Sequence, residues 1–75
     1  MPRSLRVAPK HLDRARFAVL KQGYCSQKML AEEINLSRTT VNKFLNGHPI
    51  LVINFYELCK YLNLSWEEIA DLDIN

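Results

Sequence analysis

Two cysteines, Cys25 and Cys59, are too few for a secreted domain of 75 residues, where several disulfides are the rule. No histidine or cysteine stands near either at ligand spacing, so no metal site is expected. Long apolar runs are also missing. Nothing approaches the roughly 18 residues of a membrane span, and MPRSLRVAPK lacks the apolar core of a secretory signal. Together these absences point to the cytoplasm, away from any membrane. Strand signals are absent too: no segment alternates for long, and Asn-Gly does not sit between β-branched runs.

Catalytic constellations are equally sparse. There is no nucleophile paired with a base and no glycine-rich phosphate loop. Glu32/Glu33 and Glu67/Glu68 are adjacent acids, and adjacent helical positions diverge, so neither forms an acid/base pair. His11 and His48 lie in unrelated segments and read as surface residues. No catalytic residue, no cofactor and no enzymatic activity are expected.

What is present suits one small folded domain: 48% of residues are hydrophobic. The net charge of +2 hides an asymmetry. Residues 1–47 hold nine Lys/Arg against three Asp/Glu, whereas residues 48–75 hold one lysine against five acids. A positive field over one part of the molecule suits a polyanion such as nucleic acid, and equally suits a solvated basic face.

Helix signals come in five blocks. The first helix starts near Pro9 and stops before Gly23, with Leu12, Ala15, Ala18 and Val19 inward and Phe17 and Leu20 widening the stripe. Ser26 caps the second, QKMLAEEI, with Leu30 and Ile34 inward. The third runs from Ser37, its cap, to Gly47. The fourth is expected after Asn54, with Asn54 and Glu57 as a capping-box-like pair and Phe55, Leu58, Cys59 and Leu62 inward. In the fifth, Ser65 and Glu68 form the box, and Trp66 and Ile69 anchor it. The expected organisation is a basic arm over residues 1–8, a helical domain over 9–72 and a tail over 73–75.

Only Asn-Leu-Ser separates helices two and three. Asn35 can take the left-handed conformation that so tight a turn needs, and Leu36 can plug the core beneath it. Ala31 leaves room for a close crossing. This spacing describes a helix-turn-helix. In that motif the second helix lies in the major groove of DNA. Arg38, Thr39, Asn42 and Lys43 open or follow the first turn of helix three and carry the groups that read base edges. Ser26 and Gln27 at the start of helix two, with Thr40 and Asn46 around helix three, are candidates for phosphate. Arg3 and Arg6, with Lys10, form an arm able to follow a backbone or enter a minor groove, or simply a soluble tail.

SQKMLAEEINLSRTTVNKFLNG followed by NFYELCKYLNLSWEEIADL resembles the lambda-repressor/Cro-like helix-turn-helix family, also called the xenobiotic-response-element type. The likeness covers residues 9–72. It rests on Gln27, the pair Leu30-Ala31, Ser37, Val41, Asn46-Gly47 and the run Leu62-Asn63-Leu64-Ser65. SLRVAP, SQKMLAE and SWEEIAD are similar to the N-terminal modules of large bacterial proteins of the vWA-MoxR-associated type, which precede further domains. The resemblance implies an all-α, compact five-helix bundle and sequence-specific binding of double-stranded DNA by residues 37–46, as in a bacterial transcriptional regulator. It implies phosphate contacts at Gln27, Ser37 and Asn46, and base contacts at Arg38, Thr39 and Lys43, joined by Asn42. Two copies on a pseudo-palindrome are the natural arrangement.

Two features depart from the family pattern. Asn35 replaces the usual turn glycine. In HPILVIN, Ile50 to Ile53 are consecutive and apolar where a polar or basic loop is common. Some of these must close the core; any left exposed suits a dimer or a protein partner. A second reading is therefore a protein-interaction adaptor that keeps the scaffold without reading DNA.

Overall fold

A computed structural model describes residues 3–72. The tail expected at 73–75 lies outside the described residues. The order is β1 (Ser4–Leu5), a single 3-10 turn (Pro9–His11), α1 (Leu12–Lys21), α2 (Gln27–Ile34), α3 (Arg38–Leu45), β2 (Ile50–Leu51), α4 (Val52–Tyr61) and α5 (Trp66–Ile69). Five α-helices thus surround one core, in which Phe44 and Phe55 meet edge to face at 5.2 Å, with Leu30, Val41, Leu58, Leu62 and Ile69 fully buried around them.

One device ends α1 to α4. Gly23, Asn35, Gly47 and Asn63 each have φ between 57° and 88°. In each case the next residue's N–H donates back across the last turn: Tyr24 to Val19, Leu36 to Ala31, His48 to Lys43 and Leu64 to Cys59, at 2.8–3.1 Å. The two asparagine exits share the run Asn-Leu-Ser. Asn places the left-handed residue and Leu36 or Leu64 packs half-buried against the core. Ser26 and Ser37 then cap their helices, accepting at 3.1 Å from the N–H groups of Met29 and Thr40.

Several local expectations are corrected. Phe17 and Leu20 do not widen the inward stripe of α1; both are more than three-fifths exposed. Ala15, Ala18 and Val19 fill the interface, and Phe17 and Leu20 fall on the opposite arc of the helix. α4 begins at Val52, ahead of Asn54, so Asn54 and Glu57 form no capping box; Leu51 takes the N-cap position without a side-chain bond. Ser65 does not cap α5 through its side chain; its hydroxyl donates to Glu67 Oε1.

The largest correction concerns the N-terminus. Residues 4–8 are not a free basic arm but a strap built into the core. β1 pairs antiparallel with β2, Ser4 opposite Leu51 and Leu5 opposite Ile50. Val7 then bridges to Ala70. Ala8 N–H donates to Ile69 O at 2.8 Å, Asp71 N–H to Arg6 O at 2.9 Å and Val52 N–H to Arg3 O at 3.0 Å. Leu5, Val7 and Ala8 are buried. Arg6 donates through Nε and Nη2 to Asp71 Oδ2, at 3.0 and 2.7 Å. Two-residue strands are too short to show alternation, so this small sheet left no sequence signature.

Cys59 lies in the core at 2% exposure, whereas Cys25 is exposed. Burial pushes the Cys59 thiol up to about 12. The folded state therefore favours the protonated thiol more than the unfolded chain does. That contribution is complete below the unfolded value of about 8.5 and is lost as pH climbs from there towards the folded value. In the native protein a thiol reagent at neutral pH should modify Cys25 alone, with Cys59 reacting only after denaturation. Equal rates at both would contradict the placement of Cys59.

Candidate nucleic-acid interface

α2 and α3 are joined by the Asn35–Leu36–Ser37 turn, with the αL residue at φ 59°, ψ 44°. Ala31 is buried beneath the crossing, and Val41, Phe44 and Leu45 anchor the inner side of α3. That anchoring decides which residues face out. Arg38, Thr39, Asn42 and Lys43 recur at i, i+1, i+4 and i+5 and are all exposed on one side of α3. The structure thus brings the four expected base-reading residues onto one surface. Among the described residues neither Arg38 nor Lys43 is in an ion pair. By contrast, the acids near the C-terminus neutralise other cations: Asp71 holds Arg6 at 2.7 Å and Glu68 holds Arg14 at 2.9 Å. The α3 cations remain uncompensated while part of the basic first half is quenched.

Gln27 is half-buried at the first position of α2, and its Oε1 accepts from Asn42 Nδ2 at 3.2 Å. This bond ties the opening of α2 to the outer side of α3. It leaves the Gln27 Nε2 donors and Asn42 Oδ1 free to meet a ligand. Ser26 sits beside Gln27 with its oxygen engaged by Met29 N–H, so its own hydroxyl hydrogen points elsewhere. Ser37 and Thr40 share a side-chain hydrogen bond of 2.9 Å. One of these two hydroxyls donates to the other, leaving a single hydroxyl hydrogen available between them.

Asn46, exposed at the end of α3, has two partners within the domain. Its Nδ2 donates to Asn42 O at 2.8 Å and its Oδ1 accepts from Arg16 Nη2 at 3.3 Å. Arg16 Nε also donates to Leu45 O at 3.0 Å. A guanidinium from α1 therefore neutralises the negative end of α3 and locks Asn46 onto it. Sequence reasoning did not single out Arg16. Its signal was only a basic residue next to buried Ala15, and its partner lies 29 residues away. Arg16, Ser26, Gln27 and Asn46 line a shallow cleft of about 290 Å³ at the start of α2. Arg6 is not part of a mobile arm, being held by Asp71, and the Arg3 carbonyl accepts from the Val52 N–H at the start of α4, beside Ser4, which lines a shallow cleft with Thr40 and Lys43 of α3.

A family profile described as helix-turn-helix, of the lambda-repressor type, matches residues 18–69, spanning α2, the turn and α3 and reaching the end of α5. The chain belongs to that family. Helix-turn-helix domains of this type bind DNA. No curated protein and no solved structure gives a significant match. Among the described residues no group of His, Cys, Asp and Glu could hold a metal ion, and no helix is long and apolar enough to cross a membrane.

Proposed function

We propose that this helix-turn-helix domain reads specific double-stranded DNA with α3 in the major groove, in the cytoplasm of a bacterial cell, as a transcriptional regulator or the DNA-reading module of a larger signalling protein. The observation that carries the proposal is the shared exposed side of Arg38, Thr39, Asn42 and Lys43, with both cations uncompensated. Arg38 suits guanine, Asn42 adenine and the Thr39 methyl a thymine methyl. Lys43 adds a cation at a base edge or a nearby phosphate. Each good paired contact discriminates by roughly 1–3 kcal/mol.

Phosphates on either side of the groove position the helix. The backbone N–H groups and free Gln27 Nε2 at the start of α2 suit one of them, with Ser26 beside it. The spare hydroxyl of the Ser37–Thr40 pair suits another. Since Gln27 also holds Asn42, the phosphate anchor and the base reader are mechanically linked through one hydrogen bond. Asn46 supports this arrangement by fixing the end of α3. The likeness of SLRVAP, SQKMLAE and SWEEIAD to vWA-MoxR-associated modules supports a place beside further domains.

Fluorescence-anisotropy titration of mixed-sequence DNA tests this reading. Affinity should fall steeply between low and moderate salt as counterions are released. Arg38→Ala and Lys43→Ala should each weaken binding and flatten the salt slope, with helix content unchanged. Binding indifferent to salt and to both changes would favour the adaptor reading.

A further inference from the structure

Folding leaves the outer side of α1 uncovered, and DNA reading does not use it. Phe17 and Leu20, one turn apart, are exposed to 64% and 69%. Beside Phe17 lies a shallow groove of about 240 Å³ between α1 and the turn from α4 to α5. Phe17, Ala18, Leu62 and Leu64 give it apolar walls, and the exposed cations Arg14 and Lys21 border it. These cations lie at i−3 and i+4 from Phe17, so helical spacing sets one on each side of the ring along the helix. No acid lines the groove. Among the described residues Lys21 is in no ion pair, and Arg14 is held by Glu68 in a pair whose two side chains are both exposed. Arg16, by contrast, reaches the carbonyl end of α3, so the groove and the DNA-reading helix lie on different sides of α1.

We propose that this groove docks an acidic amphipathic helix of a partner protein. Apolar surface and positive charge without a lining acid, combined on one face, call for an occupant that carries both complements. A helix presents large apolar side chains at i and i+3 or i+4. That spacing matches the groove and Leu20, which stands one turn further along α1 than Phe17. One anchor enters the groove against Phe17 and Leu64, and the next covers Leu20. Carboxylates on the partner's flank then meet Lys21 and Arg14. Glu68 is released from an exposed pair that contributes little in water. A basic helix would be repelled at the same two positions. The contact is small, and interfaces below about 1,200 Å² in total are weak or transient. The partner is thus held beside α3 without occupying it. This assignment stands apart from the DNA reading and is tested without DNA.

The probe is a phage-displayed library of random peptides of about 15 residues, enough for roughly four helical turns. It is selected on the immobilised 75-residue chain, with Phe17→Ser panned in parallel. Peptides enriched on the wild type should carry large apolar residues at helical spacing and an excess of Asp and Glu. In fluorescence anisotropy, Phe17→Ser should weaken an enriched peptide at least about tenfold, as loss of a central anchor does. Lys21→Glu should weaken it about fivefold, and selection on that variant should no longer favour acids. Both positions are exposed, and circular dichroism verifies that each variant keeps its helices. Amide shifts on peptide addition should fall on α1 and on Leu62 to Leu64. A selection that enriches nothing over Phe17→Ser, or enriches Lys and Arg, overturns the proposal. So do acidic peptides whose shifts fall on α3, since these act only as polyanions. Binding to phosphatidylglycerol vesicles that Phe17→Ser abolishes, with no peptide enriched, assigns the face to a membrane surface and equally overturns it.

Discussion

Phe44→Ala should cost about 3–5 kcal/mol of stability, most of what a domain of this size possesses. Phe44 lies on the inner side of α3 and is fully buried. Its ring meets Phe55 of α4 at an interplanar angle of 62°. Truncation removes that contact, the transfer free energy of the ring and the packing of every neighbour left facing a void. α3 depends on this anchor more than most helices of its length. It has eight residues, well below the length at which an isolated helix is stable in water. Its outer side contributes only polar groups. The variant should lose its cooperative transition in a denaturant titration followed by circular dichroism, and lose DNA binding with it. Arg38→Ala, by contrast, should leave the transition in place. A midpoint within about 1 kcal/mol of the wild type would show that the two rings are not the centre of the core.

Removal of residues 1–8 should be comparably damaging. It deletes β1, exposes the buried contacts of Leu5, Val7 and Ala8, and breaks the backbone bonds that tie Ile69 and Asp71 to the start of the chain. Val7→Asp makes the same point with one residue. Val7 is fully buried in the hydrophobic core, so a carboxylate there is taken out of water into apolar surroundings. The expected loss exceeds about 3 kcal/mol. Arg6→Ala breaks only an exposed ion pair with Asp71 and should cost no more than about 1 kcal/mol. The contrast separates a structural strap from a DNA-binding arm. An arm would tolerate deletion with an unchanged melting curve and would show its loss only in affinity.

The helix-turn-helix was legible because its signals are local. Ser26 and Ser37 cap their helices, and Asn35 adopts the left-handed conformation that three residues between helices require. The outer side of α3 could be read from where Val41, Phe44 and Leu45 fall. What escaped the sequence depends on distant partners. Ser4 and Leu5 become a strand only because Ile50 and Leu51 lie opposite them. Arg6 looked like a free cation because Asp71 is 65 residues away. The role of Arg16 is defined by the carbonyl end of α3. Phe17 and Leu20 are apolar enough to widen the inward stripe of α1, yet helical phase turns them outward. Asn54 has the chemistry of a cap, but pairing of β2 with β1 lets α4 start earlier, at Val52.

Amide chemical-shift mapping of the isotope-labelled chain during addition of duplex DNA tests the central claim most directly. The account predicts that the largest changes fall on Ser26, Gln27 and Lys28 and on residues 37–43. Ile53 to Tyr61 should respond little at low protein concentration. Changes confined to α4 and α5, or no changes at low salt, would contradict the assignment of α3 as the DNA-reading helix.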